Sequence, residues 1–240
     1  MVPESDSVDR ILVVVAHPDD CDFGCAATTA RWTSEGRTVS YCIITDGDAG
    51  GSDRSISRPE MARIRRREQA AAGAAVGVTD ITFLGYPDGR LTPTIDLRRD
   101  ISRVIRQKQP QRVMAQSPDR NYTRIFASHP DHLAAGEATL AAVYPDSRNP
   151  FAHPELLEKE GLEPYTVGEV YMMAAMQGDV VIDVTDSFDR KLDALRCHAS
   201  QYDDWDQLEK RLREWGRANA EQHELGEGRY AESFMRVPTG

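Results

Sequence analysis

The sequence predicts a single-domain α/β protein, a Rossmann-like three-layer α/β/α fold on a mostly parallel central sheet. Three observations predict it. Short β-branched apolar runs alternate with helix-period segments through about the first 145 residues, the pattern of repeated βαβ units. Those runs end in turns rich in Gly, Pro and Asp, as at 46–51 and 85–89, which punctuate strand ends. The length of 240 residues suits one substantial core.

Each element has its own signal. After a polar tail over residues 1–9, Ile11–Ala16 is a β-branched run too short to cross a membrane, so it reads as a buried strand. A helix over Ala26–Glu35 stops at Gly36, and Thr38–Thr45 is a second strand. Met61–Val76 is an Arg- and Ala-rich helix ended by Gly77, and Ile81–Leu84 is a third strand. Leu97–Lys108 places Ile101, Val104 and Ile105 on one helical face, and Arg112–Ala115 is a short fourth strand. Leu133–Val143 reads as a helix. Residues 145–164, polar and proline-bearing, read as a long loop covering the active site. Val170–Ala175 and Val180–Val184 are further strands, Phe188–His198 and Trp205–Ala220 further helices, and residues 221–240 an irregular C-terminal segment.

Composition narrows the function. A net charge of −10 argues against a nucleic-acid partner, which needs a basic face. No segment is long and apolar enough for a membrane, and Met1–Arg10 does not resemble a signal peptide. Cys21, Cys25, Cys42 and Cys197 lack the close pairing of a thiolate zinc site and read as core residues of a cytoplasmic protein. Homo-oligomerisation is left open.

The chemistry-bearing residues fall at strand ends. Ala16-His17-Pro18-Asp19-Asp20 follows the first strand, where dinucleotide enzymes would carry a glycine fingerprint. His129-Pro130-Asp131-His132 follows the fourth. One such cluster alone would pass for a hydrogen-bonded turn. Two in a chain with six histidines point to one metal site built from two loops at the sheet's carboxyl edge. A metal there would activate water, a carboxylate would take its proton, and a further acid would serve the leaving group. Adjacent Asp19 and Asp20 diverge, so one can bind metal while the other faces water. Spacing leaves open which of His129 and His132 is the ligand.

Val15–Asp20, Thr45-Asp46-Gly47-Asp48, Phe83–Gly89, His129–His132 and Lys191–Gln201 together resemble the LmbE-like/PIG-L zinc deacetylase family, in the family's order. The resemblance implies removal of an N-acetyl group from an N-acetylglucosamine-type amino sugar or its conjugate, with one zinc ion per chain. It implies His17, Asp20 and His132 as zinc ligands and Asp19 as the general base. His129 would stabilise the oxyanion and help protonate the amine, with Asp131 holding its ring. Arg65, Asp88 and Asp48 would lie near the substrate. The bland readings are a solvated helix face for Arg65, a shaped turn for Asp48 and a structural role for His198.

Two rivals remain at this level. An amidase acting on a larger sugar-linked or natural-product conjugate would use the same chemistry. A non-catalytic metal-binding module would have no use for Asp19 and His129. A two-metal phosphoesterase wants more ligands than these clusters offer.

Overall fold

Ile11–Val15 is apolar without interruption because both of its faces are covered. In the computed structural model, which describes Glu4 and residues 8–240, β1 (Arg10–Val15) sends Ile11, Val13 and Val15 into one core cluster and Leu12 and Val14 into another. A strand buried on both faces shows no alternation. From β1 the chain runs outward through α1 (Asp20–Ser34), β2 (Thr38–Thr45), α2 (Arg58–Ala75) and β3 (Ile81–Tyr86). It returns through α3 (Ile95–Lys108) to β4 (Arg112–Gln116) on the other side of β1, then continues into α4 (Pro130–Val143). α5 (Pro154–Glu158), β5 (Glu169–Met173), β6 (Val180–Asp183), α6 (Phe188–Arg196), α7 (Trp205–Gln222) and β7 (Ala231–Pro238) complete the order.

The seven strands lie in the order β3-β2-β1-β4-β5-β7-β6. β3 through β5 are parallel, and β7 runs antiparallel to both β5 and β6. Residues of α1, α2 and α6 fill the core on one face, those of α3 and α4 on the other. The expected three-layer, mostly parallel architecture is therefore present. Strand order reverses between β1 and β4, so the loops after these two strands flank the crevice where ligands bind in such sheets.

Several boundaries and two larger expectations change. α2 and α3 start earlier than the apolar pattern because Ser57 and Thr94 cap them, accepting the N–H of Glu60 and Leu97. α1 starts at Asp20, not Ala26, and is broken at Cys25, whose φ is −152°. The break frees two backbone groups. Glu232 accepts the N–H of Thr28 at 2.8 Å, and Lys191 donates to the carbonyl of Phe23 at 2.7 Å while pairing with Glu232 at 2.5 Å. A buried ion pair thus satisfies what the helix cannot.

Residues 221–240 are not irregular. α7 extends to Gln222, and β7 inserts between β5 and β6, pairing Val170 with Val237 and Val180 with Phe234. Its burial is uneven because it lies beyond the doubly covered centre, which hid the strand pattern. Residues 145–164 are not one uninterrupted loop either. They contain a 3-10 turn at Asp146–Arg148 and α5. Arg106, in the last turn of α3, donates to the carbonyls of Asp146, Ser147, Asn149, Ala152 and Leu162. The segment leaves the C-terminal end of α4, about 16 Å along the axis from His132 at 1.5 Å per residue. Within the expected tail, residues 1–3 and 5–7 lie outside the described residues, but Glu4 is anchored: Trp32 Nε1 donates to it at 2.6 Å and Arg37 pairs with it at 2.7 Å.

Close approach of α4 to β4 depends on Gly136. A Cβ at that position would stand 2.3 Å from the carbonyl oxygen of Gln116. Arg112 secures the opposite end of β4. It is fully buried, bonds Glu169 at 2.7 Å, and lies 4.0 Å from the Tyr171 ring. Replacing Arg112 with Ala leaves Glu169 held by the part-exposed Arg236 alone, at 2.6 Å, so the loss should lie between about 1 kcal/mol and the roughly 3–5 kcal/mol of a buried charge left wholly unpaired. Urea unfolding of Arg112→Ala should show a loss in that range, and a loss below about 1 kcal/mol would mean that Arg236 alone suffices to hold Glu169.

Candidate active site

The loop after β1 and the first turn of α4 meet at the crevice, as the positions of the two clusters predict. The rings of His17, His129 and His132 form a triangle with centroid separations of 5.0, 5.3 and 5.3 Å. Asp20 bridges two of them, with Oδ2 at 3.2 Å from His17 Nδ1 and Oδ1 at 3.0 Å from His132 Nε2. Its Oδ2 also accepts the backbone N–H of His17 at 2.8 Å, so the turn and the donor set are one structure. Burial would raise the Asp20 carboxyl, but the charges of His132 and His17 hold it well below the usual range. Burial alone would lower the His17 pKa; Asp20, with hydrogen bonds to Asp131, Asp20 and Asp88, pushes it up to about 12.

These donors fit a zinc-type ion. Asp20 sets one oxygen beside a nitrogen of His17 and the other beside a nitrogen of His132, the His and carboxylate donor types that such an ion takes. One nitrogen from each of His17, His129 and His132 also lies within 4.8 Å of the others. The chain thus carries a His/Asp group able to hold a metal.

Asp19 is held apart from this group. It occupies a left-handed backbone conformation, φ 86°, which a residue with a side chain adopts at a cost. Gln69 accepts its N–H at 2.7 Å. Arg65 pairs with its Oδ2 at 3.2 Å and donates to the carbonyls of Pro18 and Gly47 at 2.5 and 3.1 Å. The Tyr202 hydroxyl donates to the same Oδ2. Burial, helped by the Asp20 charge, raises the Asp19 pKa above its ordinary value, while Arg65 restrains the rise.

His129 caps α4. Its Nδ1 accepts the backbone N–H of Asp131 at 3.2 Å, which assigns the ring proton of the neutral form to Nε2. Partial burial and the charges of His17 and His132 lower its pKa, favouring that neutral form.

Other expected contacts are rearranged. The Asp131 carboxylate accepts the N–H groups of Gly89 at 2.7 Å and Leu91 at 3.1 Å and meets His17 Nε2 at 3.2 Å. The bond that reaches the His129 ring is the backbone one. Arg65 is not a solvated helix residue; it is 4% exposed and its terminal nitrogens reach the Asp19 turn, whereas its neighbours Arg66 and Arg67 face solvent. Asp88 accepts the N–H of Ala49 at 2.9 Å and meets His17 Nε2 at 3.1 Å. Asp48 pairs with Arg58 at 2.7 Å and accepts the N–H of Asp88 at 3.2 Å, shaping two turns.

Gln69, Tyr202 and Asp22 escape sequence reasoning. No local signal marks them, because each acts only once distant segments meet. Gln69 Nε2 donates to Asp22 Oδ2 at 2.9 Å, and His198 Nε2 lies 2.8 Å from the same oxygen. His198 lies in the turn just after α6, not within a helix, and is tied to the Asp22 carboxylate.

Comparison with known proteins accords with this geometry. The family model described as PIG-L, GlcNAc-PI de-N-acetylase, matches residues 12–143. The diacetylchitobiose deacetylase of Thermococcus kodakarensis is 31% identical over 237 residues, spanning 96% of this chain and 84% of that protein. A protein of Bacillus cereus described as a probable N-acetyl-alpha-D-glucosaminyl L-malate deacetylase is 31% identical, across 80% of this chain and 83% of its own. The crystal structure of N,N'-diacetylchitobiose deacetylase from Pyrococcus horikoshii superposes with a TM-score of 0.88 at 32% identity, covering 97% of this chain and 85% of that one.

Burial would lower the His198 pKa, but the hydrogen bond and charge of Asp22 raise it above the ordinary value. A folded-state value above the unfolded one stabilises the fold in full below about pH 6.5, and the contribution disappears as pH rises through the folded value. Urea unfolding at about pH 6 and pH 9, on either side of that range, should therefore show a steeper loss of stability in the wild type than in His198→Gln. Parallel losses would mean that His198 is uncharged in the folded protein.

Proposed function

Because the chain belongs to the PIG-L (GlcNAc-PI de-N-acetylase) family, we propose that it hydrolyses the N-acetyl amide of an N-acetylglucosamine-type amino sugar or its conjugate. The observation that carries this reading is Asp19: a buried carboxylate of raised pKa, clamped beside a metal-ligating group it does not join. A binding module would have no need of such a base. His17, Asp20 and His132 would hold one zinc ion, which supplies Lewis-acid activation of water and of the amide carbonyl.

The chain's own residues divide the remaining work. Asp19 Oδ2 is occupied by Arg65 and Tyr202, which leaves Oδ1 to take a proton from the attacking water. The raised pKa makes that oxygen a better acceptor and lets it return the proton to the departing nitrogen. His129, its Nδ1 occupied, presents Nε2–H to the carbonyl oxygen, where negative charge develops. The amide C–N bond breaks, water supplies the new C–O bond, and acetate and the free amine result. Four free cysteines, three of them buried, suit a reducing compartment such as the cytoplasm.

Acetate release from N-acetylglucosamine and N,N'-diacetylchitobiose tests the reading. Turnover should disappear on chelation and return with zinc, with about one zinc per chain by elemental analysis. Activity that survives metal removal would overturn the scheme. Asp19→Asn should lower kcat by roughly 10²–10⁴ and keep its metal, whereas His132→Ala should lose the metal. Loss of zinc from Asp19→Asn with retention in His132→Ala would reverse the assignments.

A further inference from the structure

The far side of His17 carries information that neither the motifs nor the reaction uses. Nδ1 faces Asp20, but Nε2 faces away from that carboxylate and meets two others: Asp88 Oδ1 at 3.1 Å and Asp131 Oδ2 at 3.2 Å. Both are nearly inaccessible, Asp88 at 7% exposure and Asp131 at 1%. Neither is free to reorient. Two backbone N–H groups grip Asp131, one from Gly89 and one from Leu91. Asp88 is held by the N–H of Ala49 on its Oδ2, while its own N–H is tied to Asp48. The loops after β2 and β3 and the first turn of α4 thus converge on a single ring nitrogen.

Two carboxylates that already accept backbone protons can each accept the hydrogen of His17 Nε2. A ring that donates from Nε2 presents a lone pair at Nδ1, on the side of Asp20 and His132. Carboxylates in this relation to a ligating histidine fix its tautomer, hold its plane and raise its basicity. We propose that Asp131 and Asp88 are positioning residues for His17, setting how tightly the site holds its metal, and act neither on the His129 ring nor on substrate. This rests on the ligand set of the deacetylase reading.

The test uses the full chain and zinc alone. Zinc affinity is measured by chelator competition in wild type, Asp131→Asn, Asp88→Asn and the double variant, with thermal melting as a check on folding. Each single substitution should weaken zinc binding by about 10–100-fold, the double variant more, with KM for the N-acetyl sugar at saturating zinc unchanged. Should Asp131→Asn fail to fold, Asp88→Asn, which disturbs fewer backbone bonds, carries the same prediction. Wild-type affinity in both variants would overturn the proposal. In that case a fall in kcat for Asp131→Asn would return it to His129, and a rise in KM for Asp88→Asn would return it to the substrate.

A second readout is independent of turnover. In zinc-loaded protein labelled with ¹⁵N-histidine, His17 should carry its proton on Nε2 and show the metal-bound shift on Nδ1. A metallated Nε2, or two zinc ions per chain with one shared by His17, Asp88 and Asp131, would overturn the inference. A wild type that binds no stoichiometric zinc would instead sink the ligand set itself, so the two failures are distinguishable.

Discussion

The His17 imidazole sits among three carboxylates, Asp20 at 3.2 Å from Nδ1 and Asp88 and Asp131 at 3.1 and 3.2 Å from Nε2, and the rest of the site is arranged around that ring. Three buried acids at this spacing repel one another unless a cation or a shared hydrogen lies among them. In the proposed arrangement the ring supplies the hydrogen on one side, and a bound metal would supply positive charge on the other. Each acid is further steadied by backbone N–H groups from a different loop. The carboxyl-edge loops therefore act as one unit, although they come from separate parts of the chain.

A second network keeps Asp19 out of that unit. Its left-handed backbone is unfavourable for a residue with a side chain, and strain of this kind persists where surroundings over-determine it. Gln69 and Arg65 hold the turn, and both stand on α2, one helical turn apart. Gln69 is tied through Asp22 to His198, whose loop also brings Tyr202 to the carboxylate. The strained turn orients one acid toward the ligand group and the adjacent one away from it.

The break in α1 belongs to the same economy of backbone groups. A straight helix from Asp20 would satisfy its own N–H and carbonyl groups; the bend at Cys25 frees two of them, and the Lys191–Glu232 pair takes them up. Glu232 lies on β7, so the C-terminal strand helps support the helix that begins with Asp20. The part of the sequence least legible as structure thus braces the part most legible as chemistry.

The sequence by itself determined the alternating architecture and the two His/Asp clusters at strand ends. Buried β-branched runs such as Ile11–Val15 and short-range turn chemistry are local signals. Ligands gather at the carboxyl edge of such a sheet, so residues just beyond those runs stand at the site. Tertiary structure alone decided the partners. Arg65 in a run of arginines looks solvent-facing, yet it is the one of Arg65, Arg66 and Arg67 that turns inward to Pro18 and Asp19. Asp131 looks like the companion of the histidine two residues away, but its carboxylate reaches His17, more than a hundred residues earlier. β7 escapes notice because its uneven burial blurs the strand pattern, and Gln69 and Tyr202 because a hydrogen bond across such distances leaves no periodic trace. Spacing along a chain specifies which groups are available; which oxygen meets which nitrogen is fixed only when the loops close on one another.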